Sequence, residues 1–250
     1  MQQEIRLSGG NASAGVVRVG DTVRKPWSAH SPGVLEYMRL LRERGVDLPA
    51  PLGRDAQGRL MTEYVVGPLA MNSPALSHDD LGRVGALVRA IHDASEGLDA
   101  DALGLGPALI PVADPDLVCH GDLTPWNLLI GERWVFIDWD GASASTRLWD
   151  LAYSAQAFTL NDAAADPARA ADDLRAFVDG YRADLRLRGD LATALPRRAW
   201  AMHDLLATAH RDGREPWGSM YTAGHGAHWD AVARYLQEHA EIWQDALTAP

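Results

Sequence analysis

The stretch His120-Gly121-Asp122-Leu123-Thr124-Pro125-Trp126-Asn127, with Phe136-Ile137-Asp138 downstream, constrains this chain more than any other. It sets an aspartate, an asparagine five residues on and a second aspartate sixteen after the first among three apolar runs: Leu117-Val118-Cys119, Leu128-Leu129-Ile130 and Val135-Phe136-Ile137. Short apolar runs bounded by turn residues, Gly131-Glu132 among them, predict strand, loop, short strand, turn, short strand. Polar residues appear in this pattern only where a site would need them.

Kinase-type phosphoryl transfer wants this spacing. One aspartate accepts the proton of a hydroxyl, while an asparagine and a second aspartate hold the magnesium that bridges nucleotide phosphates. A plain β-hairpin could use the same residue types, with Asp122 and Asn127 in a turn and Asp138 capping a loop. The second aspartate, at the right distance and after a hairpin-like turn, favours the site.

The first quarter is β-rich. Residues 3–8, 15–19 and 22–25 predict three strands, with Gly20-Asp21 as the tight turn between the last two. The link Ser8-Gly9-Gly10-Asn11-Ala12-Ser13-Ala14-Gly15 is a small-residue loop that could lay backbone N–H groups and hydroxyls over phosphates, with Ser8, Gly10 and Ser13 as candidates. A flexible hairpin loop would have the same composition. Lys25, the only lysine, shares a strand face with Val23 and is the first candidate to pair the phosphates. Strand alternation points Arg24 the other way, and a one-residue slip would exchange the two.

Ser31-Pro32 then opens a helix with Val34, Leu35, Met38 and Leu41 at helical spacing. Glu36 in its first turns is a candidate partner for the strand-three cation, and is equally ordinary helix-end chemistry. Residues 59–67 predict a strand running into a hinge, where backbone groups at Glu63, Tyr64 and Val65 would hydrogen-bond adenine. Gly67-Pro68 is the expected boundary between an N-lobe of residues 1–67 and a C-lobe of residues 68–250. The C-lobe turns helical from Ser77-His78-Asp79-Asp80, a capping-box-like start. Later helices are expected over 163–188, 191–211 and 226–247, with their Trp, Tyr and Leu residues mostly in the core. His225 and His228 lack a third ligand and make a poor zinc site.

Residues 118–153 resemble the catalytic core of the aminoglycoside phosphotransferase family, small-molecule phosphotransferases with a protein-kinase-like fold. The matching residues are His120-Gly121-Asp122-x4-Asn127, then Ile137-Asp138-Trp139-Asp140-Gly141-Ala142, then Asp150-Leu151-Ala152. The resemblance implies an α+β, bilobal fold with a small β-rich N-lobe and a larger helical C-lobe. It implies Asp122 as the catalytic base, Asn127 and Asp138 as magnesium ligands, His120 as a structural residue and Asp150 as a carboxylate bracing the catalytic loop. Gly121 stands where protein kinases carry arginine, so control through activation-loop phosphorylation is not implied. The donor would be ATP or GTP and the acceptor an aminoglycoside or another antibiotic. The same core resembles choline, homoserine and fructosamine kinases, so a metabolic kinase is the alternative. A non-catalytic nucleotide-binding regulator is a third reading, against which the intact Asp122, Asn127 and Asp138 speak.

Charge bears on the acceptor. Residues 1–68 hold 9 basic and 7 acidic side chains, a balance of +2, while the rest of the chain holds 14 and 27, a balance of −13. An acidic C-lobe repels nucleic acid and favours a small cationic partner, with Asp204, Asp212 and Glu215 as candidate contacts. Acidic helix surfaces also serve solubility alone. Hydrophobic content of 47% with 23% charged residues is that of a globular chain, with no apolar run long enough to span a membrane. The polar start and the single cysteine, Cys119, lead to the expectation of a cytoplasmic monomer or weak dimer.

Overall fold

Alternation of apolar and polar side chains in the first sixty residues is satisfied by an antiparallel sheet. In a computed structural model, which describes residues 3–7 and 15–249, β1 (Glu4–Arg6), β2 (Val17–Val19), β3 (Thr22–Lys25), β4 (Pro51–Arg54) and β5 (Leu60–Glu63) pair in the order β1-β2-β3-β5-β4. Val23 lies opposite Thr62 and Lys25 opposite Leu60. The described chain divides into two compact units, Met1–Pro74 with Ile91–Ser145, and Ala75–Ala90 with Thr146–Pro250.

In the first unit, α1 (Ser31–Glu43) starts at Pro32, whose missing N–H costs nothing in a first turn, and buries Val34, Tyr37, Met38 and Leu41. Tyr37 is out of water, so its hydroxyl needs partners. It donates to the Val118 carbonyl (3.2 Å) and meets Ser95 Oγ (2.7 Å), which ties α1 to the strand that feeds the catalytic loop. The short α3 (Ala100–Leu103) follows α2 (His78–Ser95), a helix that contributes residues to both units. Then come two ladders. β6 (Leu117–Cys119) pairs with β9 (Ser143–Ser145), and β7 (Leu128–Ile130) pairs with β8 (Trp134–Phe136). Val65, Leu129 and Val135 form a small buried cluster packed by Leu69 and Ile137, so the hinge segment and the β7–β8 hairpin share one core.

The second unit is helical: α4 (Arg147–Thr159), α5 (Pro167–Tyr181), α6 (Leu185–Arg211), α7 (Trp217–Met220), α8 (Gly226–Glu238) and α9 (Ala240–Thr248). The helix expected over 163–188 is two. Arg182 takes a left-handed conformation (φ 60°) that closes α5, and Asp184 starts α6 by accepting from the Leu187 N–H (2.8 Å). The expected break near 190 is absent, and α6 runs through Pro196. The helix expected over 226–247 turns at His239, which lets fully buried Trp243 donate its indole N–H to the Leu236 carbonyl (3.0 Å).

Helices α2 and α5 approach backbone to backbone. A Cβ at Gly180 would lie 1.9 Å from the Gly82 carbonyl oxygen, and one at Gly85 would lie 2.0 Å from that of Phe177. Neither neighbour is a side chain that could swing away, so the helices themselves must separate. Gly180→Ala is expected to destabilise the protein by about 1–3 kcal/mol or more, the cost of overpacking, and to lower Tm by about 2–4 °C per kcal/mol. Thermal unfolding followed by circular dichroism checks this, and an unchanged Tm would mean the contact is looser than described.

Candidate active site

Strand β6 ends at His120, which has no exposed surface. The Asp122 backbone N–H donates to its Nδ1 (3.2 Å), so the neutral ring carries its proton on Nε2 and donates to the Ile137 carbonyl (3.1 Å). The ring also packs edge-on against Trp139, centroids 4.5 Å apart. His120 thereby fastens the loop after β6 to the segment after β8. Between them Gly121 adopts φ 82°, a left-handed conformation, with the Gly141 carbonyl 3.1 Å from where a Cβ would stand. The Gly in this motif is therefore a backbone requirement here.

Asp122 is surrounded by donors. Its carboxylate accepts from Asn127 Nδ2 (2.7 Å), from Trp126 Nε1 (3.2 Å to each oxygen) and from Thr124 Oγ1 (3.2 Å). Burial pushes the Asp122 carboxyl above its ordinary value. The charge at Asp138 adds to this, while His120, Trp126 and Thr124 pull the other way. Committing the Asn127 amide nitrogen to Asp122 leaves Asn127 Oδ1 as the atom for a cation. The Asn127 carbonyl accepts from the Ile137 N–H (2.8 Å), which sets Asn127 beside the residue before Asp138. Asp138 itself takes φ 66°, ψ 56° at the head of a 3-10 turn, Trp139–Gly141. That conformation is uncommon for a residue with a side chain and turns the chain sharply out of the β8 direction.

Lys25 reaches this corner from β3. Its Nζ donates to Asp138 Oδ1 and to Asp140 Oδ2, the latter at 2.9 Å. Burial alone would pull the ammonium down, but Asp138 and Asp140 outweigh it and hold it above its ordinary value. Burial likewise works against the Asp138 carboxylate, and Lys25 overcomes this to hold it below the usual range. Oxygen donors at Asn127 and Asp138, in a corner that already balances an ammonium with two carboxylates, fit a hard divalent cation.

Lys25, Trp126, Asn127, Asp138 and Asp140 line a cavity of about 220 Å³ with apolar walls that include Val16, Val23, Leu60, Leu129 and Ile137. At the hinge, the Glu63 N–H goes to the Ala50 carbonyl (2.9 Å) and the Tyr64 N–H to the Asp21 carbonyl (2.9 Å). The Val65 backbone makes no hydrogen bond among the described residues, and Val65 lines the cavity. The Glu63 side chain accepts from Arg133 (2.5 Å) and from the Ala50 N–H (2.9 Å), and Arg133 also holds Asp47 (2.6 Å).

Other expected positions fall elsewhere. Arg24 turns to the opposite sheet face and pairs with Asp55 (3.2 Å). Glu36, a candidate partner for the strand cation, instead meets Arg39 (2.8 and 2.5 Å) on the exposed face of α1, because its helix position looks toward solvent. Ser8, Gly10 and Ser13 lie outside the described residues. Asp150 is buried in the first turn of α4. Asp204 is exposed beside His203 (3.1 Å), Asp212 meets Arg211 (3.5 Å) and Arg214 (3.9 Å), and Glu215 accepts from the Ser219 N–H (3.1 Å). Sequence reasoning passed over Trp126, Arg133 and Asp140. Trp126 sits at a freely varying position of the motif. Arg133 is one of many arginines, and Asp140 stood in the quoted motif without a role.

Comparison with known proteins places this geometry. Residues 96–188, which contain Asp122, Asn127, Asp138 and Asp150, match the model of the phosphotransferase enzyme family. This is a small-molecule kinase. Such enzymes phosphorylate hydroxyl groups. The fold is that of a microcompartment-associated aminopropanol kinase (TM-score 0.67, 14% identity, 98% of this chain and 94% of that one). It is shared by an amicoumacin kinase solved in complex with AMP-PNP, Ca2+ and Ami (0.65, 14%, 96% and 88%). A choline/ethanolamine kinase family protein from Mesorhizobium loti also has it (0.61, 17%, 99% and 93%). No curated protein matches the chain by sequence. The small antiparallel sheet followed by a helical majority is thus a protein-kinase-like arrangement.

Three substitutions test the charged residues at and behind the cavity. Asp138→Ala is expected to abolish magnesium-dependent ATP binding in calorimetry, because it removes the carboxylate that would hold the cation together with Asn127. Lys25→Ala should weaken nucleotide binding or turnover more than Arg24→Ala does. The reverse order would mean that the phosphates lie on the other face of β3.

Proposed function

We propose that this kinase moves the γ-phosphoryl group of ATP, or GTP, to a hydroxyl of a small cationic molecule, an aminoglycoside or another antibiotic. The observation that carries the reading is the convergence of Lys25, Asn127 and Asp138 on one apolar-walled cavity, with Asp122 bonded to Asn127 and an unbonded backbone at Val65 in the same lining. The base of the nucleotide lies between the apolar walls against Val65, and the phosphates point to Lys25. Residues 1–67 act as the nucleotide-covering lobe. Asp150 keeps a structural role.

Asn127 and Asp138 would hold Mg2+, which supplies charge neutralisation on the phosphates when bound. Asp122 orients the acceptor hydroxyl. As the oxygen–phosphorus bond forms, the bond from the γ-phosphorus to the β-phosphate oxygen breaks, and Asp122 takes the hydroxyl proton. Three donors fix the direction of its carboxylate, so little is left to reorganise during the reaction. Trp126 matters here because its indole N–H reaches both oxygens and its ring lines the cavity.

A metabolic kinase is the second reading. It is favoured by the fold shared with proteins named for aminopropanol and for choline or ethanolamine. Amine-bearing acceptors fit the charge argument equally well. ATP consumption by the purified protein across aminoglycosides, other cationic antibiotics, macrolides, choline, homoserine and fructosamines decides between the two.

Asp122→Asn is expected to cut kcat by about 10²–10⁴ with ATP affinity nearly intact. A raised carboxyl is a proton the folded state binds more tightly than the unfolded chain does. Stability is therefore undiminished below about pH 4, falls as pH rises from there to the folded value, and stays lowered above it. Asp122→Asn should accordingly keep or raise Tm at neutral pH while it loses activity. Retention of more than about a tenth of wild-type kcat would remove Asp122 from the role of base.

A cationic acceptor drawn by an acidic surface should show KM rising between low and about physiological sodium chloride, with kcat little changed, since screening acts over about 8–10 Å. Asp204, more open than Asp212, is the first to substitute, ahead of Asp212 and Glu215. A KM flat in salt at saturating magnesium and ATP would point to a neutral acceptor.

A further inference from the structure

A lysine that holds phosphates must itself be held. Its four-carbon stem is flexible, and an unpaired ammonium in a half-buried cavity loses much of its hydration. The helix carboxylate within reach in sequence, Glu36, is committed to Arg39 on the solvent face of α1. Lys25 instead meets the two carboxylates that flank Trp139. Asp138 is the one suited to a metal, so in the loaded site it is shared between cations. Asp140 has no such second duty. Its carboxylate stands 2.9 Å from Lys25 Nζ on a turn whose middle is rigidly placed. Trp139 is almost wholly buried, donates its indole N–H to the Phe136 carbonyl (3.0 Å), and packs edge-on against both His120 (4.5 Å) and Tyr37 (5.8 Å).

From this we infer that Asp140 is the positioning residue for Lys25, in place of a carboxylate on α1. This rests on the nucleotide-binding reading of the cavity. Asp140 acts through Lys25 and touches neither metal nor phosphate. The position of α1 then has no direct electrostatic link to the phosphate cation, and the link runs through the turn that also carries the metal carboxylate.

The test is ATP binding by calorimetry on the purified chain, once in EDTA and once at saturating magnesium, for wild type, Asp140→Asn, Asp140→Glu, Glu36→Gln, Lys25→Met and the double variant Lys25→Met/Asp140→Asn. Asp140→Asn should weaken metal-free ATP binding about tenfold or more, the worth of a charged hydrogen bond. Asp140→Glu should recover part of the loss, and Glu36→Gln should bind as wild type. The magnesium concentration for half-maximal effect should not move, and Asp140→Asn should cost nothing further once Lys25 is methionine. Unchanged or tighter metal-free binding by Asp140→Asn overturns the inference. So does a loss confined to magnesium conditions with a raised magnesium requirement, which would make Asp140 a metal ligand. An equal loss in the Lys25→Met background, or with Glu36→Gln, overturns it as well. If Asp140→Asn fails to fold by circular dichroism, the comparison of Asp140→Glu with Glu36→Gln carries the same decision. Failure of the wild-type protein to bind ATP under either condition would overturn the functional reading and this inference with it.

Discussion

Two half-buried carboxylates held near one another repel and lose hydration, and the rest of the site is arranged around that constraint. The two are compensated differently. Asp122 receives neutral donors from Asn127, Trp126 and Thr124, which direct it without cancelling its charge, and its carboxyl stands above the ordinary value. Asp138 receives an ammonium and stands below it. Environments that push two acids in opposite directions assign them different work: one takes a proton, the other stays ionised beside cations.

The scaffold that holds these groups is aromatic and buried. His120 links the catalytic loop to the strand end before Asp138, and Trp139 fills the space beneath both. Tyr37 brings α1 against Trp139 and the strand before the loop. Each of these rings satisfies its polar atom on a backbone carbonyl, so the rings fix backbone positions as well as fill volume. On the hinge side, Arg133 grips Glu63 and Asp47 and so ties the β7–β8 turn to the end of β5 and to the segment between α1 and β4. Side-chain geometry at the reacting end therefore depends on packing behind it.

The acidic balance of residues 69–250 looks different once the partners of its carboxylates are known. Asp179 meets Arg188, Asp230 meets Arg234, and Asp212 lies near two arginines. Exposed pairs of this kind contribute about 0–1 kcal/mol to stability, but each one cancels charge that a cationic ligand would otherwise feel. The field available to an acceptor comes from the remainder, so the balance of −13 over residues 69–250 is an upper bound on steering.

Much of the site was legible in the chain. The spacing from Asp122 to Asn127 to Asp138 is local, and local spacing between apolar runs determines which residues a short loop and a hairpin bring together. Strand alternation likewise separated Lys25 from Arg24, since the two faces of a strand differ by one residue. What the sequence could not decide was partnership across distance. Glu36 and Asp140 are equally acidic on paper, and only the facing of α1 and the burial of Trp139 give Lys25 the second and leave the first to Arg39. The helix ends of the second unit escaped for a related reason: Arg182 and His239 carry no breaker signature, and the turns they make are set by what must be buried next, as Trp243 is. Local pattern determined the chemistry this chain can perform; tertiary packing decided which charged group answers which, because Coulomb attraction and desolvation depend on distances that no linear spacing contains.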